Sequence, residues 1–253
     1  MFSRLLNTTG ANLAIKSMPK FCANLAFLFP EKPLLERYDL AKQAGFKAVE
    51  TGFPYGFRKE DVVYAKNTSG LQQILINIYT GDVTKGELGF AAIPGKEQEF
   101  RDSLNTTIDI AKSLGAKKYA SSLLERENIL GVIEPINRYS IPNYYMNCYD
   151  KALSVVKKIN SPNLKIMLDI FHLQLIQGNI SNTIKELMGY IGHVQIAQAP
   201  NRNEPNSYGE INYKYVLEVL EKEGYNDWVG LEYKPLGNTK EGLKWIQELG
   251  YSL

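Results

Sequence analysis

Four short apolar runs in this chain turn polar at their ends, and each polar residue is one that can hold a metal ion or move a proton. They read GVIEPIN with Glu134, KIMLDIFH with Asp169, HVQIAQ with Gln195 and VGLEYKP with Glu232. Three carboxylates and an amide oxygen suit a hard or borderline divalent cation such as Mg²⁺ or Mn²⁺. Glu134 and Glu232 are also candidates to remove and return a proton. Any one of them alone reads equally as a loop-edge carboxylate or a helix cap. Their repetition in one chain favours a common centre.

Other residues stand close by in sequence. His172 follows Asp169 by three positions, a spacing that can set an imidazole beside a bound substrate, although a structural histidine is the alternative. His193 lies earlier on its run and reads as structural. Arg202, in the polar stretch APNRNEPNSYGEINY, could receive a substrate carboxylate through a charge-assisted pair, or be a surface arginine. Lys234 after Glu232 is a further candidate for an anion. The glycine-punctuated stretch Gly81–Gly95 is long for a connection and reads as a lid. It lacks the GxxxxGK[ST] pattern of a phosphate loop.

Parallel strands alternating with helices would bring these residues together at one face. Strand candidates are Lys20–Phe29, Phe46–Tyr55 and Leu71–Thr80, with later ones beginning near Leu130, Leu164, Gly192 and Val229. Helical stretches are Lys32–Ala44, Lys96–Leu114, Asp150–Ile159, Ser181–Met188, Tyr213–Gly224 and Thr239–Leu249. Gly45 and Gly115 are stop signals. The alternation predicts an α/β fold, a (β/α)8 TIM barrel with its chemistry at the C-terminal ends of the strands. One unit is short. Between Gly115 and Gly131 the chain reads AKKYASSLLERENIL, too little for a strand and its crossover helix. Its pattern is helical over Ala116–Asn128. The barrel is therefore expected to be incomplete around residues 115–131, without its fourth strand, or patched by Lys117–Ser122 in extended form.

Composition narrows the class. The 253 residues are 44% hydrophobic and 22% charged, with a net charge of +2, ordinary for a soluble globular domain and without the basic footprint of a nucleic-acid binder. No run is long enough to span a membrane. Cys22 and Cys148 form no CxxC pair and read as reduced thiols. Residues 1–19 carry Arg4 and Lys16 and no acid. They read as a flexible N-terminal extension or a weak transit peptide, so the cytoplasm is expected and the mitochondrion is the alternative. Residues 20–253 are expected to form a single domain.

The chain resembles the hydroxypyruvate isomerase family of the xylose-isomerase-like barrels. The resemblance rests on FCANLAFLFPE, FPY, the GD…GE…IPG…EFR series, IEPIN, DIFHLQ, GHVQIAQ, GEINY and GYNDWVGLEYKP, spread over nearly all of Lys20–Trp245. It implies catalytic glutamates at Glu134 and Glu232, metal ligands at Glu134, Asp169, Gln195 and Glu232, and His172 and Arg202 near the substrate. It implies interconversion of hydroxypyruvate and tartronate semialdehyde (2-hydroxy-3-oxopropanoate). The implied partner is a small hydroxy-oxo acid, with a divalent metal (Mg or Mn) allowed, no organic cofactor, no nucleic acid or membrane, and a homo-oligomer allowed. Family members have a full fourth strand and helix, so about 25 residues are missing here by the usual unit length. That leaves two alternatives: a related sugar isomerase or epimerase, or a catalytically impaired isoform. An abasic-site endonuclease of the same superfamily would need a histidine-rich zinc site, and this chain has two histidines.

Overall fold

The computed structural model describes residues 18–52, 54–82, 87, 89–116, 118–119 and 129–253. Its strands form one closed parallel barrel in chain order, β1 to β8, with β1 pairing β8. The strands are β1 Lys20–Asn24, β2 Ala48–Thr51, β3 Gln72–Ile76, β4 Lys118–Tyr119, β5 Leu130–Ile133, β6 Leu164–Asp169, β7 Ile191–Ile196 and β8 Trp228–Leu231. Each predicted strand start falls within two residues of the observed one. The predicted ends of the first three are too late, because Leu25–Phe29, Gly52 and Asn77–Thr80 are loops leaving the barrel mouth, and Pro54–Gly56 is a single 3-10 turn.

For the fourth strand the expectation of a missing strand is corrected, and the alternative of an extended patch holds over two residues. The strand is reduced to Lys118 and Tyr119 rather than lost, pairing Leu75 with Lys118 on one side and Leu130 and Gly131 with Lys118 and Tyr119 on the other. Without it β3 and β5 would each present unpaired backbone groups. Two extended residues are enough to close that gap, and this tertiary gain overrides the helical pattern of the segment at 118–119. The helical reading of residues 120–128 lies outside the described residues, as does that of Lys117.

The helices are α1 Leu34–Gln43, α2 Lys59–Ser69, α3 Glu97–Leu114, α4 Tyr149–Ile159, α5 Ile170–Ile176, α6 Ile180–Leu187, α7 Tyr213–Lys222, α8 Thr239–Gly242 and α9 Trp245–Glu248. α3 buries Leu104, Thr107, Ala111 and Leu114 as one stripe and stops at Gly115 in the left-handed region, where glycine avoids the Cβ clash. α2 and α5 were not expected. α2 buries only Val62 and Ser69, too narrow a stripe to read from periodicity. α5 begins directly at the end of β6, where no linker sets it apart. The main core fills the space between barrel and helices, with Phe21, Tyr38, Ile166, Leu168, Val194, Leu217 and Trp245 buried. A smaller apolar cluster comprises Cys22, Ala48, Ile74, Leu75, Val132 and Met167.

Residues 1–17 lie outside the described residues, so the transit-peptide reading does too. Of the predicted lid, residues 83–86 and 88 also lie outside them. Its described part folds against α3, where Phe90, Ile93, Phe100 and Leu104 meet Tyr145 around a cavity of about 560 Å³.

Candidate active site

Strand side chains alternate in direction, so residues two apart share a face. Two positions after Cys22, Ala48, Val132 and Met167 of the small apolar cluster come Asn24, Glu50, Glu134 and Asp169. Two positions after His193 and Gly230 come Gln195 and Glu232. The C-terminal mouth of the barrel therefore carries a ring of polar groups above an apolar floor. Asn24, Glu50, Asp169 and Gln195 are buried, while the side chains of Glu134 and Glu232 keep 23% and 13% exposure. A substrate can reach those two glutamates.

Asp169 serves two purposes. Its Oδ1 accepts the N–H of Phe171 at 2.8 Å and caps α5, the usual role of an N-cap aspartate. Its Oδ2 faces the centre, 3.2 Å from an Arg202 guanidinium nitrogen and 3.6 Å from His172 Nε2. One oxygen caps the helix and the other faces Arg202 and His172. His172 is fixed by its other nitrogen, since Nδ1 lies 3.2 Å from the backbone N–H of Asn137, which donates to it. That leaves Nε2–H to face Glu134, at 3.5 Å, as well as Asp169. Asn137 itself is locked by the N–H groups of Tyr139 and Ser140 on its Oδ1.

Arg202 enters the centre from the loop after β7. Its backbone sits at φ +61° and is tied on both sides, Arg202 N–H donating to Gln198 and Lys234 N–H donating to Arg202. The guanidinium lies 4.8 Å from the ring centroids of both Phe27 and Phe171. One nitrogen then reaches Asp169 and, at 2.6 Å, Glu232. It is a built-in cation among carboxylates, not a surface arginine. Lys234 is exposed, and its backbone N–H and carbonyl bind Arg202 and Asn203.

Glu50 and Asn24 were not anticipated. Glu50 is wholly buried, and its oxygens meet donors: Asn24 Nδ2 at 2.8 Å, Gln195 Nε2 at 2.7 Å, His193 Nε2 at 2.6 Å and the Cys22 thiol at 3.9 Å. Asn24 also donates to Glu232 at 3.2 Å. The signal was present, because KFCAN and AVET end in polar residues just as the other four runs do. His193, read as structural, is fully buried with its Nε2 against Glu50.

Burial sets the protonation of the ring. It pushes the Glu134 carboxyl from an ordinary 4.5 up to about 8, with Asp169 adding to the rise and Arg202 opposing it. Burial also holds Glu232 well above the usual carboxylate range, Arg202 opposing and Glu134 adding. Burial lowers His172 from 6.5 to about 4, so its ring is neutral at pH 7. On Arg202 burial works against the charge, and Glu232, Asp169 and Glu134 outweigh it, raising its pKa.

A stability prediction follows from these directions. An acid whose folded pKa is raised stabilises the fold below its unfolded value, and that contribution is lost as pH rises through the folded value. For Glu134 the window runs from 4.5 to about 8. His172 has the opposite sign but is confined between about 4 and 6.5. The metal-free chain should therefore lose several degrees of melting temperature between pH 6.5 and 8, and Glu134→Gln should flatten that slope. An unchanged slope in the variant contradicts the assignment.

The donor set fits a divalent cation. Glu134, Asp169 and His172 offer ligand atoms within 4.8 Å of one another. Glu232 joins them through Arg202, and Gln195 Oε1 is buried with no hydrogen-bond partner, an acceptor for which a cation would be a natural partner. The structure thus brings Glu134, Asp169, Glu232, His172 and Arg202 into direct contact, with Gln195 linked through Glu50.

Residues 117–249 match the profile of the family described as xylose isomerase-like TIM barrel. The chain is 39% identical over 255 residues to the hydroxypyruvate isomerase of Escherichia coli (strain K12), covering 90% of this chain and 98% of that protein. It is 33% identical over 256 residues to the 2-oxo-tetronate isomerase of Cupriavidus necator, covering 91% and 98%. A crystal structure of a Brucella melitensis protein titled AP endonuclease, family 2, superposes with a TM-score of 0.88 at 37% identity, covering 91% of this chain and 99% of that one.

Proposed function

Because the chain belongs to the hydroxypyruvate isomerase family of xylose isomerase-like TIM barrels, and is an isomerase by that membership, we propose that it interconverts hydroxypyruvate and 2-hydroxy-3-oxopropanoate. The observation that carries this reading is the pair Glu134 and Glu232. They leave β5 and β8 toward one cationic side chain and are the two partly open carboxylates of a ring otherwise buried.

The chemistry needs two such groups. One carboxylate takes a proton from C3 of hydroxypyruvate, and the electron pair of that C–H bond forms a C2–C3 double bond while the C2 carbonyl becomes an enediol oxygen. The other returns a proton to C2 as the C3 hydroxyl passes its proton to the C2 oxygen and becomes the aldehyde, leaving a hydroxyl at C2. A carboxyl near pKa 8 is well matched to proton transfer at neutral pH, and because the glutamates feel each other their pKa values belong to the pair. Arg202 places fixed positive charge where the substrate carboxylate and the enediol oxygens can use it. His172, neutral and held by Asn137, offers a single N–H donor to an oxygen. Residues Glu134, Asp169, Gln195 and Glu232 would hold a Mg²⁺ or Mn²⁺ ion, which when bound would supply further positive charge against the developing enediolate. Residues 20–253 form the single catalytic domain in this reading.

The endonuclease title does not transfer to this chain. Its two histidines are each committed, His172 to Asn137 and His193 to Glu50, and a histidine-rich zinc site cannot be built from them. The longer-chain substrate of the 2-oxo-tetronate isomerase shares the same reacting group, so the discriminating experiment is competition. Steady-state turnover of hydroxypyruvate and of 2-oxo-tetronate, with Mn²⁺ supplied, should favour hydroxypyruvate in kcat/KM. A preference for the longer acid reassigns the substrate, and no turnover of either by folded protein removes the reading.

A further inference from the structure

We propose that Glu50 is a positioning residue that fixes the amide of Gln195 with its oxygen toward the cation-binding centre and its nitrogen away from it. The inference rests on the metal-binding part of the preceding reading. A glutamine amide has one donor end and one acceptor end of nearly the same shape, and only its hydrogen-bond partners decide which end faces where. At position 195 the decision is made by Glu50, which can only accept. Gln195 Nε2 donates to Glu50 Oε1 at 2.7 Å, leaving Oε1 of Gln195 buried and without a partner. Were the amide turned over, its oxygen would face the carboxylate oxygen, and the repulsion of two acceptors in a buried site is costly.

The barrel is built around this carboxylate. A Cβ on Gly230, the β8 neighbour of both Gln195 and Cys22, would sit 2.5 and 2.6 Å from the two Glu50 oxygens. β8 therefore carries no side chain where Glu50 needs room. Asn24 and His193 complete the cage, and Asn24 extends it to Glu232. One buried carboxylate thus sets the orientation of Gln195 and, through Asn24, of one Glu232 oxygen. The Cys22, Glu50 and His193 cluster offers ligand atoms for a metal of its own, but both Glu50 oxygens already receive hydrogen bonds, which supports a positioning role instead.

The test is Mn²⁺ affinity, read by electron paramagnetic resonance, beside hydroxypyruvate turnover on the same preparations. Glu50→Met keeps length and removes every acceptor. Its affinity for Mn²⁺ is expected to fall by about 10- to 100-fold, the usual cost of losing a partner that orients a ligand. Glu50→Gln, which keeps one acceptor oxygen, should fall between Met and wild type. Gly230→Ala, which pushes on the carboxylate from outside, should also lose at least about tenfold and serves if Glu50→Met does not fold. A merely structural role would lower the melting temperature and leave affinity of the folded protein unchanged. Folded Glu50→Met or Gly230→Ala with wild-type Mn²⁺ affinity overturns the proposal. A wild-type chain that isomerises hydroxypyruvate yet takes up no Mn²⁺ overturns it too, while leaving the isomerase reading standing.

Discussion

Glu134→Gln and Glu232→Gln should each lower kcat for hydroxypyruvate by on the order of 10³-fold, as expected for loss of a general acid or base. Glutamine keeps the size of each side chain and removes its ability to carry a proton. KM should change little for Glu134→Gln, because Glu134 contacts only His172 among the described ion pairs. Glu232→Gln should raise KM as well, because Glu232 Oε2 is the shorter of two carboxylate contacts of Arg202. The double variant should be scarcely slower than either single one, since residues that act as a unit are not additive. Stopped-time assays of the three proteins, each checked for a cooperative melt, decide the matter. A loss below about tenfold in either single variant is too small for general acid-base catalysis and would remove that glutamate from the proton path.

Arg202→Met is the second large effect. The guanidinium holds Asp169 and Glu232 and lies against Phe27 and Phe171. Its removal leaves buried carboxylates facing one another and takes away the positive charge available to the substrate carboxylate. Truncating one member of a buried charge pair typically costs about 2–5 kcal/mol, so kcat/KM should fall by at least about 30-fold. Arg202→Lys should not restore it. An ammonium is a point charge, without the plane that stacks between two rings or the second N–H that reaches the Glu232 carbonyl. Recovery of activity in the lysine variant would mean that charge alone matters at position 202. Arg202→Met should also make Mn²⁺ bind more tightly, because the competing cation is gone.

Much of the barrel was legible because parallel strands and helices announce themselves by different periods and by the polar residues that end each strand. Glu134, Asp169, Gln195 and Glu232 were visible for that reason, and the structure brings their strand ends to one mouth. Asn24 and Glu50 obey the same rule and were passed over, since KFCAN runs without a break into the apolar LAFLF, and Glu50 is followed by TGF rather than by a polar loop. The clasp of Asn137 on His172 joins the loop after β5 to α5, and no sequence spacing reveals such a contact. Arg202 was read as a carboxylate receiver or a surface group. Its pairing with Asp169 and Glu232 depends on a left-handed backbone turn that a non-glycine residue rarely takes, and local pattern gives no hint of it. The two-residue β4 was read only as the alternative, an extended patch over Lys117–Ser122, because its segment has a helical pattern and what sets β4 is the unpaired edges of β3 and β5, which local pattern does not show.

The closed ring matters to function because β5 carries Glu134 and is paired to β4, and a displacement of about 1 Å at a reacting group can cost 100-fold in rate. The most direct test of the central claim is isomerisation of hydroxypyruvate by the 253-residue chain in D₂O, with deuterium in the product located by NMR. Two glutamates sharing the work means the proton delivered to C2 is not the one removed from C3. The product should therefore carry solvent deuterium at C2, and recovered substrate should carry some at C3. A product whose C2 hydrogen came entirely from C3 would indicate direct hydride transfer or a single shielded base, and either contradicts the two-glutamate account.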